Sequence, residues 1–284
     1  MDRSPAYSRV SLEESVQAAR EWKQGPGRSL TNCVFLKQTL AEYAAQDRLF
    51  CRRGEDSLLF LGDEGAYFQV FYYLREDGAF PVFPHDKPLV VNELDRNGEQ
   101  LPHIRRIEEK LRTVGFELES RNLYMGIDLR RHEDALRRLY AENEDGLRRQ
   151  GFRFAVPEGE EQREQVRRLW REHLKPTDIP FAHYAAPNGG ELCCVTDASG
   201  TVCAVIWWDS RKKTSEWRHI VTHPAYLRRG LALALLSRWA VAALEAGCTE
   251  GYSWCEERNL ASIRLQEKLG SRFNGKRSLQ YLLP

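Results

Sequence analysis

The sequence predicts an α/β (α+β) fold in two tandem domains, on three observations. Residues 217–247 read as a strand, a short basic turn and a helix. Residues 49–74 hold three short β-like runs, split by Gly54-Glu55-Asp56 and Gly62-Asp63-Glu64-Gly65, a spacing that indicates an antiparallel meander. The third observation is an internal echo. Arg96-Asn97 followed by Ile104-Arg105-Arg106-Ile107-Glu108-Glu109-Lys110-Leu111 parallels Arg258-Asn259 followed by Ile263-Arg264-Leu265-Gln266-Glu267-Lys268-Leu269. It places one domain at 1–129, a helical connector at 130–150 and a second domain at 151–284.

The chain is organised around the first of these stretches. His223-Pro224 ends the strand Trp217-Arg218-His219-Ile220-Val221-Thr222, because proline brings no donor to a ladder. In the following helix Leu231, Leu235, Trp239 and Ala242 are spaced for one buried face, and Gly247 closes it where a left-handed cap is usual. Gly230, at the first turn, lets a ligand approach the backbone, and the unpaired amides there suit a phosphate. Arg228 and Arg229 add charge beside it. Taken alone, this turn is equally a solvated basic loop before an ordinary core helix. A β-rich segment, Gly251-Tyr252-Ser253-Trp254-Cys255, and the run from Asn259 to Gly270 come next.

In that order the two motifs resemble the GNAT superfamily of acyl-CoA-dependent N-acyltransferases. The family signature is Gln/Arg-x-x-Gly-x-Gly/Ala at the turn, then Asn-x-x-Ala-x-x-x-Tyr-Glu-Lys-x-Gly-Phe on a later helix. Here they read Leu227-Arg228-Arg229-Gly230-Leu231-Ala232 and Asn259 through Gly270, and the resemblance covers residues 152–284, about half of the chain. Leu227 stands where Gln or Arg is usual, Gln266 where Tyr is usual and Ser271 where Phe is common.

The resemblance implies two GNAT-like domains, each a mixed, mostly antiparallel sheet flanked by helices. It implies an N-acyltransferase, most simply moving acetyl from acetyl-CoA to an amine in a ternary complex. The amides of Gly230, Leu231 and Ala232 would hold the pyrophosphate, with Leu227, Arg228 and Arg229 in the same turn. The strand Ile220, Val221 and Thr222 would splay from its neighbour and hold the pantetheine and thioester through its backbone. Glu216 is the base by position, directly or through water, unless it is a solvated strand-edge carboxylate. His219, whose ordinary pKa of about 6.5 suits proton removal near neutrality, is the second candidate, or a packed strand residue. Asn259 and Ser262 fall on the cofactor side; Asn259 is otherwise simply a helix cap. Tyr252 or Ser262 can replace the acid missing at Gln266, or be structural. The alternative function is a non-catalytic acyl-CoA-binding or protein-interaction module. The N-terminal copy has only a Gly- and Pro-containing stretch, 75–87, where the phosphate turn belongs, so it is expected to bind no acyl-CoA.

Composition narrows the remaining classes. The 284 residues carry a net charge of +1, with 42% hydrophobic and 11% aromatic residues, a globular composition with no global field for nucleic acid. No apolar run approaches the roughly 20 residues of a membrane span, and no apolar stretch follows Met1-Asp2-Arg3-Ser4-Pro5 as a secretory signal requires. The seven cysteines include the adjacent Cys193-Cys194 and no Cys-x-x-Cys, which suits buried reduced thiols in a cytoplasmic protein. No metal site is expected: His219 and His223 lie about 13 Å apart on a strand. Dinucleotide, P-loop and nucleophile-elbow motifs are absent. The acceptor amine stays open, as does the choice between monomer and homodimer.

Along the chain, helices are expected from Ser11 to before Gly25, at 31–46, at 101–114, in the connector, and after Pro157 with Val166, Leu169 and Trp170 buried. Residues 116–128 read as a closing hairpin, and 192–208 as a hairpin about 197–200. Trp207 and Trp208 point to opposite faces, one lining the acceptor pocket or both packing in the core.

Overall fold

The computed structural model describes residues 7–33, 36–96, 98, 101–175, 177 and 191–284. Their contacts form two units, Met1–Asn122 with Lys276–Pro284, and Leu123–Gly275. Met1-Asp2-Arg3-Ser4-Pro5, residues 34 and 35 of the helix expected at 31–46, and Asn97 of the internal echo lie outside the described residues.

In unit 1, helix α1 (Leu12–Gln24) starts as its sequence dictates. Ser11 Oγ accepts from Glu14 N at 3.1 Å, and the Glu14 carboxylate accepts from Ser11 N at 2.7 Å. Strands β1 (Ser8–Arg9), β3 (Leu49–Arg53), β4 (Ser57–Asp63), β5 (Phe68–Arg75) and β6 (Leu89–Arg96) are neighbours in that order. All pair antiparallel except β5 with β6. α1 and α2 (Leu36–Ala44) cover one face through Ala18, Ala19, Leu40 and Tyr43. On the other face Ile107 and Leu111 of α3 (Leu101–Thr113) pack on Leu59, Leu61, Tyr72 and Val91.

Two elements differ from expectation. Of the helix expected at 31–46, α2 covers Leu36–Ala44, while Ser29–Thr31 is a strand, β2, paired antiparallel to β5. The expected hairpin at 116–128 is one uninterrupted strand, β7 (Glu117–Asp128). It contains no Asn-Gly-type pair able to turn it, and Gly126 comes too late to serve.

β5 and β6 pair only from Phe68↔Leu89 to Val70↔Val91, and then part. The chain itself enters the gap. β2 runs along β5 with Ser29↔Arg75, Leu30↔Leu74 and Thr31↔Tyr73. The Asn32 carboxamide then bridges both strands: Nδ2 donates to Val70 O (3.0 Å) and Asn92 O (3.3 Å), and Oδ1 accepts from Tyr72 N (2.9 Å). Asn32→Ala strands these backbone groups, at about 1–3 kcal/mol each. We expect a clear fall in the urea midpoint; an unchanged midpoint would remove Asn32 as the tie across the gap.

In unit 2, β8 (Arg153–Ala155), β9 (Glu191–Thr196), β10 (Val202–Arg211), β11 (Thr214–Thr222) and β12 (Glu250–Glu256) are successive neighbours. Only β11 with β12 is parallel. α4 (Glu133–Arg149), which the sequence suggests as a connector, packs with α6 (Leu231–Glu245) on one face, through Leu136, Leu147, Leu235 and Trp239. α5 (Gly159–His173) covers the other face with Val166, Leu169 and Trp170. A sheet covered on both faces explains the unbroken apolar run 202–208 in β10. Trp207 and Trp208 are both buried, on opposite faces.

The C-terminal strand β13 (Arg272–Leu283) departs from the expected partition. It pairs with β6 from Lys276↔Arg96 to Leu283↔Leu89, so 276–284 belong to unit 1 rather than to the second domain. Its alternating apolar residues, Tyr281 foremost, complete the unit 1 core.

Candidate active site

The opening of α6 is built by two left-handed residues, Arg228 (φ +62°) and Gly230 (φ +82°). Such a backbone turns successive amides into a concavity that suits an anion. The first amides of α6 have no intrahelical acceptor, and no side chain caps them. A β-carbon at Gly230 meets nothing within 4 Å, so backbone conformation, not space, demands glycine there. The Arg229 guanidinium lies over the rings of Tyr226 (5.6 Å) and Phe152 (5.7 Å), and Tyr226 Oη donates to Asp197 Oδ2 at 3.0 Å. Leu227 and Arg228 are exposed, Leu231 is buried in the core and Ala232 is half-buried.

β11 leads to this turn, and it parts from its neighbour. The ladder with β12 covers only Thr214↔Glu250, Ser215↔Gly251 and Glu216↔Tyr252. Beyond it, Val221 and Thr222 pair with β10 on the opposite edge. Ile220 packs toward α6 and Val221 toward α5. His219 has φ +52°, and with Ile220 it faces the single residue Ile206, which makes a β-bulge. Its imidazole sits against Trp170 (6.0 Å) and Trp207 (6.1 Å), a packed position.

Glu216 occupies the last pair before the strands part, with its side chain 12% exposed. Its Oε2 accepts from Arg218 Nη2 at 2.6 Å and from Tyr252 Oη at 3.2 Å. Tyr252 stacks on Tyr124 (4.8 Å, 12°), whose ring meets Trp254 edge-on at 5.2 Å. Burial, then the Glu216 carboxylate, pushes the Tyr252 phenol well above its ordinary pKa and keeps it a neutral donor.

On the far side of β12, Asn259 Oδ1 accepts from Ser262 N at 3.0 Å and caps α7 (Leu260–Leu269). Gln266 is fully buried: its Oε1 accepts from Ser253 Oγ at 2.7 Å, and its Nε2 donates to Ser262 Oγ at 3.4 Å. The residue at the usual tyrosine position therefore ties α7 to β12. Of the two stand-in acids, Ser262 binds Gln266 and Tyr252 binds Glu216. The structure thus brings Glu216, Arg218, Tyr252 and Tyr124 together. Sequence reasoning named Glu216 and Tyr252 but missed Arg218, although its place two residues on along the same strand face was a signal for it, and it missed Tyr124, which arrives through sheet pairing.

The cysteines are free thiols, all buried except the half-buried Cys33, and burial pushes Cys193 up to about 11 and Cys194 up to about 12. Among the described residues no three His, Cys, Asp or Glu side chains gather as a metal site, and no helix is long and apolar enough to cross a membrane.

Residues 135–271 match the model of the acetyltransferase (GNAT) family. In fold the chain is similar to a tandem GNAT protein from the clavulanic acid biosynthesis pathway, at 13% identity over 98% of this chain and 97% of that one, with a TM-score of 0.58. It is similar to a Drosophila protein at 14% identity over 99% of both chains (TM-score 0.58). A GCN5-related N-acetyltransferase from Kribbella flavida matches at 14% identity over 87% of this chain and 95% of that one (TM-score 0.54). No curated protein sequence matches the chain. Residues 135–271 are accordingly a GNAT-family domain, in a chain with the tandem GNAT fold.

Proposed function

We propose that the protein is an acyl-CoA-dependent N-acyltransferase that moves an acyl group, most simply acetyl from acetyl-CoA, directly to an amine. The observation that carries this reading is the left-handed turn Arg228–Gly230 at the start of α6, reached by a β11 that parts from β12 just after Glu216. The amides of Gly230, Leu231 and Ala232 receive the pyrophosphate, with Leu227 and Arg228 beside it; Arg229 lends charge from its seat on Tyr226 and Phe152. The free edge of Ile220, Val221 and Thr222 holds the pantetheine arm, and Asn259 and Ser262 face it from α7.

Glu216 takes a proton from the acceptor ammonium, directly or through water. The amine nitrogen then bonds to the thioester carbonyl carbon, the carbon–sulfur bond breaks as that nitrogen gives up its second proton to water, and the departing thiolate takes its proton from water. A thiol of pKa near about 8.5 needs no strong acid, which fits a buried Gln266. His219, packed between two indoles, is the weaker candidate for the base.

Unit 1 is read as a degenerate copy that binds no acyl-CoA. It lacks the glycine turn, and β2 with Asn32 fills the gap where a pantetheine arm would lie. The free thiols support a reducing, cytoplasmic setting. The rival, a non-catalytic acyl-CoA-binding module, draws its support from Gln266.

The test is thiol release from acetyl-CoA against panels of amines, with calorimetry on the same protein. Release with at least one amine, and one acetyl-CoA bound per chain, is expected. Two sites per chain would reverse the reading of unit 1, and tight binding without release from any amine would favour the rival.

A further inference from the structure

Glu216 does not stand alone at the point where β11 and β12 part. Both hydrogen bonds it receives converge on Oε2: Arg218 at 2.6 Å and Tyr252 at 3.2 Å. Each donor is itself held. The Arg218 guanidinium lies over the Trp207 ring at 6.0 Å, and the Tyr252 ring is stacked on Tyr124 at 4.8 Å. The arrangement comes from two unrelated parts of the chain. Strand alternation sets Arg218 beside Glu216, and the parallel register sets Tyr252 opposite it.

A nearly buried carboxylate needs pairing to remain charged, but one donor meets that need. Two donors on the same oxygen fix the side-chain torsions as well, and among the described residues they leave Oε1 without a donor. A base works when its free oxygen is held within hydrogen-bond reach of the proton it removes.

We propose that Arg218 and Tyr252 are positioning residues that lock Glu216 through Oε2 and present Oε1 to the acceptor amine. The proposal rests on the reading of Glu216 as the base. Neither residue needs to touch the acceptor, so both act on turnover rather than on substrate affinity.

The experiment is a mutant cycle on acetyl transfer to whichever amine of the panel the parent protein accepts, followed by thiol release. Arg218→Gln is expected to lower kcat by about 10²-fold, the cost of a misplaced catalytic group. The KM for acetyl-CoA and the acetyl-CoA thermal shift stay as in the parent. Arg218→Lys, which keeps the charge but loses the planar fork, recovers part of the rate. Tyr252→Phe lowers kcat by a smaller factor. Because Arg218 acts through Glu216, Glu216→Gln/Arg218→Gln is no slower than Glu216→Gln alone.

An Arg218→Gln variant as fast as the parent beside a slow Glu216→Gln overturns the positioning role and leaves the base in place. Multiplying effects in the double variant also overturn it, since Arg218 then acts on its own. A fully active Glu216→Gln removes the base, and the proposal with it; a parent that acetylates no amine does the same. If Arg218→Gln does not fold, Arg218→Lys and Tyr252→Phe decide by the same kcat and KM readouts.

Discussion

Glu216→Gln is expected to lower turnover by roughly 10²–10⁴-fold and to leave acetyl-CoA affinity nearly unchanged. The amide keeps the shape of the carboxylate and can still accept from Arg218 and Tyr252 through its oxygen. It cannot take up a proton. The acidic limb of the pH–rate profile, which reports a base becoming protonated, should vanish with it. Acetyl-CoA binding is assigned to the α6 turn and the free edge of β11, so the ligand-induced melting shift should persist. A variant as active as the parent would move the base elsewhere, and His219 would be the next to test.

The second large effect is expected of Gly230→Asp. At about 100 times Kd a ligand stabilises by about 2.7 kcal/mol, a shift of several degrees for a chain of this size. The substitution should abolish that shift by two routes. Its β-carbon has room but its backbone does not, since φ is +82°. Its carboxylate also lies where the pyrophosphate is to be bound. Gly230→Asn separates the two, because asparagine meets the same left-handed backbone demand as aspartate and carries no charge; it should keep part of the shift. A folded Gly230→Asp variant with an undiminished shift would sink the assignment of this turn.

What could be read from the sequence was what is decided locally. The strand, turn and helix at 214–245 follow from proline, glycine and apolar spacing within a few residues of one another. The reciprocal cap of α1 is likewise complete within four residues. The features that give the site its shape are decided at a distance. The bulge at His219 exists only in register with β10, and the contact of Tyr252 with Glu216 only because β11 and β12 run parallel for three pairs. Asn32 looks like an ordinary helix-region residue until β5 and β6 part around it. Gln266 looked like a lost proton donor, and its burial shows a structural tie instead.

The pairing of β13 with β6 has a consequence in time. Unit 1 takes its closing strand from residues 276–284, which the ribosome makes only after all of 123–275. At about 5–20 residues per second, β6 stands bare for on the order of ten seconds. A bare edge invites pairing with other chains, and charges along a strand discourage it. β6 carries three in succession, Glu93, Asp95 and Arg96, separated only by Leu94. In the nascent chain those side chains guard an edge that the finished protein no longer exposes, until its proper strand emerges.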